Sequence, residues 1–242
     1  MNLCIDQGNS SIKIGVFDQD KLIESTTFEK FGSVEISELF EKFSIDACIL
    51  SSVIIENDEQ IAELKQKCPE LIILSHLTPV PIENRYKTPE TLGKDRLAAV
   101  VGASYLKPGS DILVVDAGTA ITYDFIDANR VYWGGNIAPG LNLRLRALHE
   151  FTQKLPLVEA QEESPELGTD TQSAIISGAL HGIVYEIDGY IDHLKIKYPK
   201  LSAFLTGGST FYFDTKLKNA IFAERNLVLI GLNRILQYNV QK

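Results

Sequence analysis

The chain has 242 residues, with 23 Lys+Arg against 32 Asp+Glu and a formal net charge of −9. Apolar residues make up 45% and charged residues 23%, the composition of an ordinary globular protein, which excludes a disordered or collagen-like chain. The acidic balance argues against sequence-independent nucleic-acid binding, which needs a basic footprint, but leaves room for a local phosphate site.

In chain order, residues 2–6 read as a short strand ending in Asp6, and Gln7-Gly8-Asn9-Ser10 as a turn. Ser11 to Phe17 alternates as a strand should, Asp18 to Lys21 is a hairpin turn, and Leu22 to Phe28 is a third strand. Ser33 has the character of an N-cap for a helix with Ile36, Leu39, Phe40 and Phe43 on one face. Ala47 to Val53 reads as a buried strand, Glu59 to Cys68 as a helix, and Leu71 to Leu74 as another strand.

Asp111 to Asp116 then repeats the opening as a strand ending in an acid. Ala117-Gly118-Thr119 is a turn, Ala120 to Ile126 a strand, Asp127-Ala128-Asn129 a turn, and Val131 to Ile137 a third strand. A long helix is expected over Thr171 to Tyr198, with a break near Gly189, followed by a strand at 201–205. Gly207-Gly208-Ser209 is expected to open a turn and helix, and Leu227 to Tyr238 is the last helix. The repeat predicts a duplicated β-β-β-α-β-α unit, with domains at 1–110 and 111–242.

No run of about 18 apolar residues exists, so no membrane span is expected. An acid at the sixth residue is unlike a signal peptide, so a cytoplasmic protein is expected. Cys4, Cys48 and Cys68 are scattered among apolar stretches and read as buried, inert thiols. His76, His149, His181 and His193 lack metal-cluster spacing and read as structural or solvated. Trp133 reads as a core residue, and Glu159 to Glu166 as a solvated loop.

The two openings align as Ile5-Asp6-Gln7-Gly8-Asn9-Ser10 and Val115-Asp116-Ala117-Gly118-Thr119-Ala120. A glycine in a tight hairpin lets backbone N–H groups face an anion, with the hydroxyls of Ser10, Ser11 and Thr119 as further donors. The preceding carboxylate can hold a metal ion or its water shell. Two such hairpins facing each other would clamp a polyphosphate with its Mg²⁺, and Lys13 could reach a phosphate. The plainer alternative for Asp6 and Asp116 is a turn acid at a strand end. No P-loop, G-x-G-x-x-G or protein-kinase signature is present, and Thr206-Gly207-Gly208 remains as a place for a base or ribose.

These three motifs resemble the two phosphate motifs and the adenosine motif of the acetate and sugar kinase, heat-shock ATPase and actin superfamily. Within it, Tyr86-Lys87-Thr88-Pro89-Glu90-Thr91-Leu92-Gly93-Lys94-Asp95-Arg96 and Gly134-Gly135-Asn136-Ile137-Ala138-Pro139-Gly140 resemble the hallmarks of type III pantothenate kinases. The resemblance implies an α/β fold of two ribonuclease H-like (actin-like ATPase) domains, each a mixed five-stranded sheet flanked by helices. It implies transfer of the ATP γ-phosphoryl group to pantothenate, the first step of coenzyme A synthesis, by a homodimer using Mg²⁺ and a monovalent cation, K⁺ or NH₄⁺.

Carried over by position, Asp6, Gln7, Gly8, Asn9, Ser10, Ser11, Ile12 and Lys13 bind the ATP phosphates, with Asp6 also near Mg²⁺. Thr119, Thr206, Gly207 and Gly208 contact the nucleotide. Tyr86, Gly93, Lys94, Asp95, Arg96 and Thr171 line the pantothenate site, Asp95 is the proton acceptor, and Asp116 is the monovalent-cation ligand. Asp95 lies between two cations at an expected helix start, both of which favour its ionised form. Arg96 can pair bidentately with the pantothenate carboxylate. From spacing alone, Asp95 could equally be a helix-start acid paired with Lys94 or Arg96, and Tyr86 a packing aromatic beside Pro89. The alternatives are a non-catalytic regulatory relative of the same fold, or a sugar kinase or polyphosphate phosphatase of the superfamily. Intact Tyr86, Asp95 and Arg96 argue against the first, the lack of clustered cysteines against a zinc-bearing sugar kinase, and the Gly93-Lys94-Asp95-Arg96 block against a polyphosphate phosphatase.

Overall fold

The computed structural model describes residues 1–8, 11–53 and 58–240. The chain divides into two compact units. The first comprises Met1–Gly109, Asn129–Trp133 and the chain from Asn226 on; the second comprises Ser110–Ala128 and Gly134–Arg225.

In the first unit, β1 (Asn2–Gln7), β2 (Ile12–Asp18) and β3 (Lys21–Phe28) form a meander. Then follow α1 (Ser33–Lys42), β4 (Ala47–Ser52), α2 (Asp58–Lys67) and β5 (Glu70–Ile73). The sheet order is β3-β2-β1-β4-β5, with β1 antiparallel to β2 and parallel to β4. β1 is central because Leu3, Cys4 and Ile5 are apolar in succession, which only a strand buried on both faces accommodates. Leu3, Ile5, Ile14 and Leu50 pack with Ile36, Ile61 and Leu64 of the two helices. β3 is the edge strand, and it exposes Lys21, Ser25, Thr26 and Thr27, so most of the side chains it shows to water are polar.

Ser33 is the first helical residue of α1 and not its cap. Gly32 takes the cap position, and its backbone N–H donates to the Glu35 carboxylate at 2.8 Å. A glutamate three residues into a helix can reach back in this way, so a hydroxyl cap is not needed. The two-residue strand β6 (Glu83–Asn84), a 3-10 turn at Pro89–Thr91 and α3 (Lys94–Leu106) complete this part of the chain.

The second unit holds β7 (Ile112–Ala117), β8 (Ala120–Ile126), most of β9 (Val131–Pro139), α4 (Leu141–Glu150), α5 (Thr171–Lys197), β10 (Ser202–Thr206) and β11 (Phe222–Ala223). The order β11-β10-β7-β8-β9 matches that of the first sheet read from its other end, β5-β4-β1-β2-β3. The expected five strands are joined by β6, which pairs with the Val131–Tyr132 end of β9. Ile176, Leu180, Ile183 and Ile187 of α5 bury Leu113, Val115, Ile121 and Tyr123 of the sheet.

α5 runs 27 residues without a break, against the expectation of one near Gly189. A single helical glycine costs about 1 kcal/mol relative to alanine, which a helix packed along its length easily absorbs. The glycine turn at 207–209 opens only a 3-10 turn, Thr210–Tyr212, where a helix was expected. Thr210 Oγ1 donates to the Gly207 carbonyl at 2.6 Å, and this local bond competes with a continuing helix. Trp133 is 51% exposed with the Arg85 guanidinium 5.0 Å from its ring centroid, so it is a surface residue and not a core one. The three cysteines are buried free thiols. His149 and His181 contact the carbonyls of Leu155 and Pro165, which gives both a structural place.

The last helix, α6 (Leu227–Val240), packs on α3 and β1 of the first unit. The sequence reading kept it with residues 111–242; packing distributes the chain differently, because the apolar residues of α6 meet those of α3. The two helices cross through glycines. A Cβ at Gly231 would overlap the carbonyl oxygen of Ala98, and one at Gly102 would overlap that of Leu227. Asn233 donates to the Gln19 carbonyl at 2.8 Å and accepts from Asn2 at 2.9 Å, fixing the rotation of α6.

Two alanine substitutions should separate these effects. Gly231→Ala forces the helices apart and should cost about 1–3 kcal/mol of stability in urea denaturation. Gly189→Ala meets nothing within 4 Å of its Cβ and should stabilise by about 0.5–1 kcal/mol.

Candidate active site

In the first unit, the chain leaves β1 at Asp6 and Gln7 and turns back into β2. The Gly8 N–H donates to the Ser11 carbonyl at 3.0 Å, closing the hairpin, and the Val53 N–H donates to the Gln7 carbonyl at 3.1 Å. Asn9 and Ser10 lie outside the described residues. Ser11 is exposed, whereas the Ile12 side chain is buried in the core, so Ile12 can offer a ligand only its backbone. Lys13 is the cross-strand partner of Asp6 and Ser51 its partner on β4, which brings three polar residues to one end of the sheet. Ser51 is fully buried, and its hydroxyl has no hydrogen-bond partner among the described residues.

The acceptor motif lies in the same unit. Gly93 precedes α3, Lys94 is its first residue and Asp95 its second. The Asp95 carboxylate accepts from the Arg96 backbone N–H at 2.8 Å, a free donor of the first helical turn. A Cβ at Gly93 would lie 2.6 Å from Asp95 Oδ1, so glycine there lets the carboxylate fold back over the helix start. Arg96 is only 5% exposed, and its guanidinium stands 5.6 Å from the Tyr86 ring centroid. Tyr86 stacks on Tyr132 at 6.3 Å, and its N–H donates to Asn84 Oδ1 at 2.9 Å. An arginine so held presents a fixed, planar cation beside an acid.

In the second unit, Asp116 ends β7 opposite Thr122 of β8, and Thr206 ends β10 beside Asp116. This register places the second hairpin against the Thr206-Gly207-Gly208 turn. Gly207 has φ +99, and a Cβ there would lie 2.5 Å from both Asp116 Oδ1 and the Ala117 carbonyl oxygen. The Ser209 N–H donates to that carbonyl at 2.9 Å. Thr119 is exposed at the hairpin tip, and the Gly118 N–H donates to the Ala120 carbonyl at 3.0 Å. Thr171 is the exposed first residue of α5, with Asp170 capping that helix by accepting from the Ser173 N–H at 3.0 Å.

The Gly-Gly-Asn-Ile-Ala-Pro-Gly stretch finds its physical reason in this unit. A Cβ at Gly135 would overlap the Tyr123 carbonyl oxygen, and one at Gly140 would overlap that of Gly118. Both glycines let β9 and the start of α4 lie directly on β8 and the second hairpin. Three residues of this region lay outside the sequence reading of the site. Tyr123 donates to Glu186 at 2.8 Å, and Arg144 donates to the same carboxylate at 2.6 Å and to the Pro139 carbonyl at 2.8 Å. Burial and this bond push the Tyr123 phenol well above its ordinary pKa. Residues 144 and 186 carry no sequence signal that joins them. Among the described residues, no group of three or more His, Cys, Asp or Glu is placed to hold a metal ion alone.

Gly207 provides a direct check on this geometry. Gly207→Ala combines left-handed backbone with a clash and should destabilise by about 1–3 kcal/mol, whereas Gly208→Ala meets nothing within 4 Å and should leave the melting temperature within about 2 °C.

Comparison with known proteins places this geometry. The family described as type III pantothenate kinase matches residues 2–193. The type III pantothenate kinase of Phocaeicola vulgatus is 51% identical, over 99% of this chain and 99% of its own. That of Porphyromonas gingivalis strain W83 is 44% identical over the same shares. Among solved structures, a Baf family protein from Campylobacter jejuni is 24% identical with a TM-score of 0.60, covering 99% of this chain and 100% of that one. The polyphosphate/ATP-glucomannokinase of Arthrobacter sp. strain KM has a TM-score of 0.51 at 14% identity, covering 98% of each chain, and so shares the fold. A family match over residues 2–193 and relatives matched along nearly the whole length, on two mixed sheets of the same strand order, converge: this chain belongs to the type III pantothenate kinase family.

Proposed function

We propose that this chain transfers the γ-phosphoryl group of ATP to the primary hydroxyl of pantothenate, giving 4′-phosphopantothenate for coenzyme A synthesis. The observation that carries the reading is the acceptor corner at the start of α3. There a carboxylate held by a helix N–H stands next in the chain to a buried arginine braced on an aromatic ring. A regulatory relative would have no use for that corner.

Phosphoryl transfer asks little covalent chemistry of a protein; positioning and charge stabilisation do most of the catalysis. Asp95 accepts the proton of the pantothenate hydroxyl as the bond to phosphorus forms. Arg96 pairs with the pantothenate carboxylate, and Tyr86 holds the guanidinium in place for it. Gly93, Lys94 and Thr171 complete the substrate contacts. Asp6, Gln7, Gly8, Asn9, Ser10, Ser11, Ile12 and Lys13 bind the ATP phosphates through hairpin N–H groups, hydroxyls and the lysine. Thr119, Thr206, Gly207 and Gly208 contact the nucleotide, and Gly207 lets this turn lie directly against Asp116 and Ala117 of the second hairpin.

Two cation sites suit the residues present. Asp116 is the cross-strand partner of Thr122, whose buried Oγ1 has no hydrogen-bond partner among the described residues, so a carboxylate and a hydroxyl share this end of the strand pair, an oxygen set that suits K⁺ or NH₄⁺. Asp6, with the Ser51 hydroxyl beside it in register, offers the sparse oxygen set that suits Mg²⁺ shared with phosphates. When bound, the two cations offset the negative charge that a net charge of −9 would otherwise set against ATP. The homodimer reading is supported by several large apolar side chains that the second unit leaves exposed. Phe151 is 88% exposed, Leu167 is 82% exposed, and Leu143, Leu157 and Tyr185 are exposed as well. Three unpaired cysteines suit a reducing cytoplasm, and among the described residues no helix is long and apolar enough to cross a membrane.

A coupled ADP-release assay tests the reading: turnover should require pantothenate and fall when K⁺ is withheld. Asp95→Asn should lose on the order of 10²-fold or more in kcat while ATP still binds. Arg96→Lys should raise the KM for pantothenate ~10-fold, the equivalent of one lost charge-assisted hydrogen bond. Turnover of glucose or polyphosphate in place of pantothenate would overturn the assignment, and full activity in Asp95→Asn would remove the base.

A further inference from the structure

Arg144 and Glu186 lie outside every motif and are joined only by the fold. Arg144 is on α4 and Glu186 on α5, and their side chains are 21% and 27% exposed. Exposed ion pairs contribute little to stability, but this one is partly buried and is not a simple pair. The two Glu186 oxygens are used separately, one by Arg144 Nη2 at 2.6 Å and the other by the Tyr123 hydroxyl at 2.8 Å. The Arg144 Nε is used a third way, donating to the Pro139 carbonyl at 2.8 Å. The next residue, Gly140, donates its N–H to the Thr119 carbonyl at 3.0 Å. A Cβ at Gly140 would lie 2.6 Å from that same oxygen, so backbone rests on backbone here.

The chain of contacts therefore runs from Glu186 through Arg144, Pro139 and Gly140 to Thr119. At its other end, Tyr123 on β8 stacks on Tyr190 at 4.1 Å, and the Tyr190 hydroxyl accepts from Asn136 Nδ2 at 3.2 Å. The Gly134–Pro139 stretch is thus tied to α5 directly at Asn136 and, through Arg144, at Pro139.

We propose that the Glu186–Arg144 pair is a positioning device for the second hairpin, setting where Thr119 meets the nucleotide. The inference rests on Thr119 as an ATP contact. Arginine serves because its planar fork holds Nη2 toward a carboxylate and Nε toward a carbonyl in fixed directions, whereas the three donors of lysine share one nitrogen and are not fixed in this way. A hairpin tip displaced by a fraction of an ångström costs nucleotide binding, while the acceptor corner, on α3 of the other unit, is left as it is.

The test is steady-state kinetics on the full-length enzyme with Arg144→Met, Glu186→Gln and Arg144→Lys, each also carrying Thr119→Val. Arg144→Met keeps the length of the stem, and Glu186→Gln keeps the shape of the acceptor. Both should raise the KM for ATP on the order of 10-fold and leave the KM for pantothenate within about twofold. Arg144→Lys should recover part of the loss. With Thr119→Val present, the further effect of Arg144→Met should shrink to about twofold, since both changes act through one contact. Equal rises in both KM values, additive effects of Arg144→Met and Thr119→Val, or full rescue by lysine would each overturn the positioning role. Should Arg144→Met fail to fold, Glu186→Gln and Arg144→Lys carry the same comparison. Thr119→Val alone separates the two readings. If it leaves the KM for ATP unchanged, the assignment of Thr119 fails; if it raises that KM and the Arg144 variants do not, only the positioning role fails.

Discussion

The first unit depends on one close crossing. α3 and α6 meet at Gly102 and Gly231, where the backbone of each helix occupies the space a side chain would need on the other. This contact seats α6 against β1 and holds α3 by its apolar length, from Leu97 through Ala103. Because α3 begins at Lys94, the crossing also fixes the direction in which its first turn presents Asp95 and Arg96. A helix so anchored along its body can leave an N-terminal donor to the Asp95 carboxylate. This explains why α3 starts on a glycine with no side-chain cap.

The second unit solves the same kind of problem with strands. Gly135, Gly140 and Gly207 each stand where a neighbouring backbone passes too near for a side chain. Together they draw β9, the start of α4 and the turn after β10 onto the hairpin of β8. Glycine runs that look like loose punctuation in the sequence are therefore packing positions. The polar network of Tyr123, Arg144 and Glu186 stands behind them, where a half-satisfied set of charges would be costly.

Local chemistry made much of this legible. The alternation of β2, the acid-then-glycine turns and the helix after Gly93 follow from rules that act over a few residues. The repeat was visible because each opening has the same short-range demands. Ser33 and Gly189 misled for the same reason: a hydroxyl near a helix start and a glycine within a helix are only weak local preferences. Glu35 reaching back to Gly32 and the buried face of α5 outweighed them. Trp133 misled because alternation does not say which strand face is covered.

By itself the sequence determined the strand–turn–strand openings, the acceptor motif and the family, since each is written in contiguous residues. Only the tertiary structure decided that α6 returns to the first unit and that Arg96 stands over Tyr86. It alone decided that Glu186 reaches Pro139 through Arg144. Those contacts join residues up to well over a hundred positions apart. They are selected by which apolar faces remain to be buried once the local elements have formed, and that information is spread over the whole chain and held in no single motif.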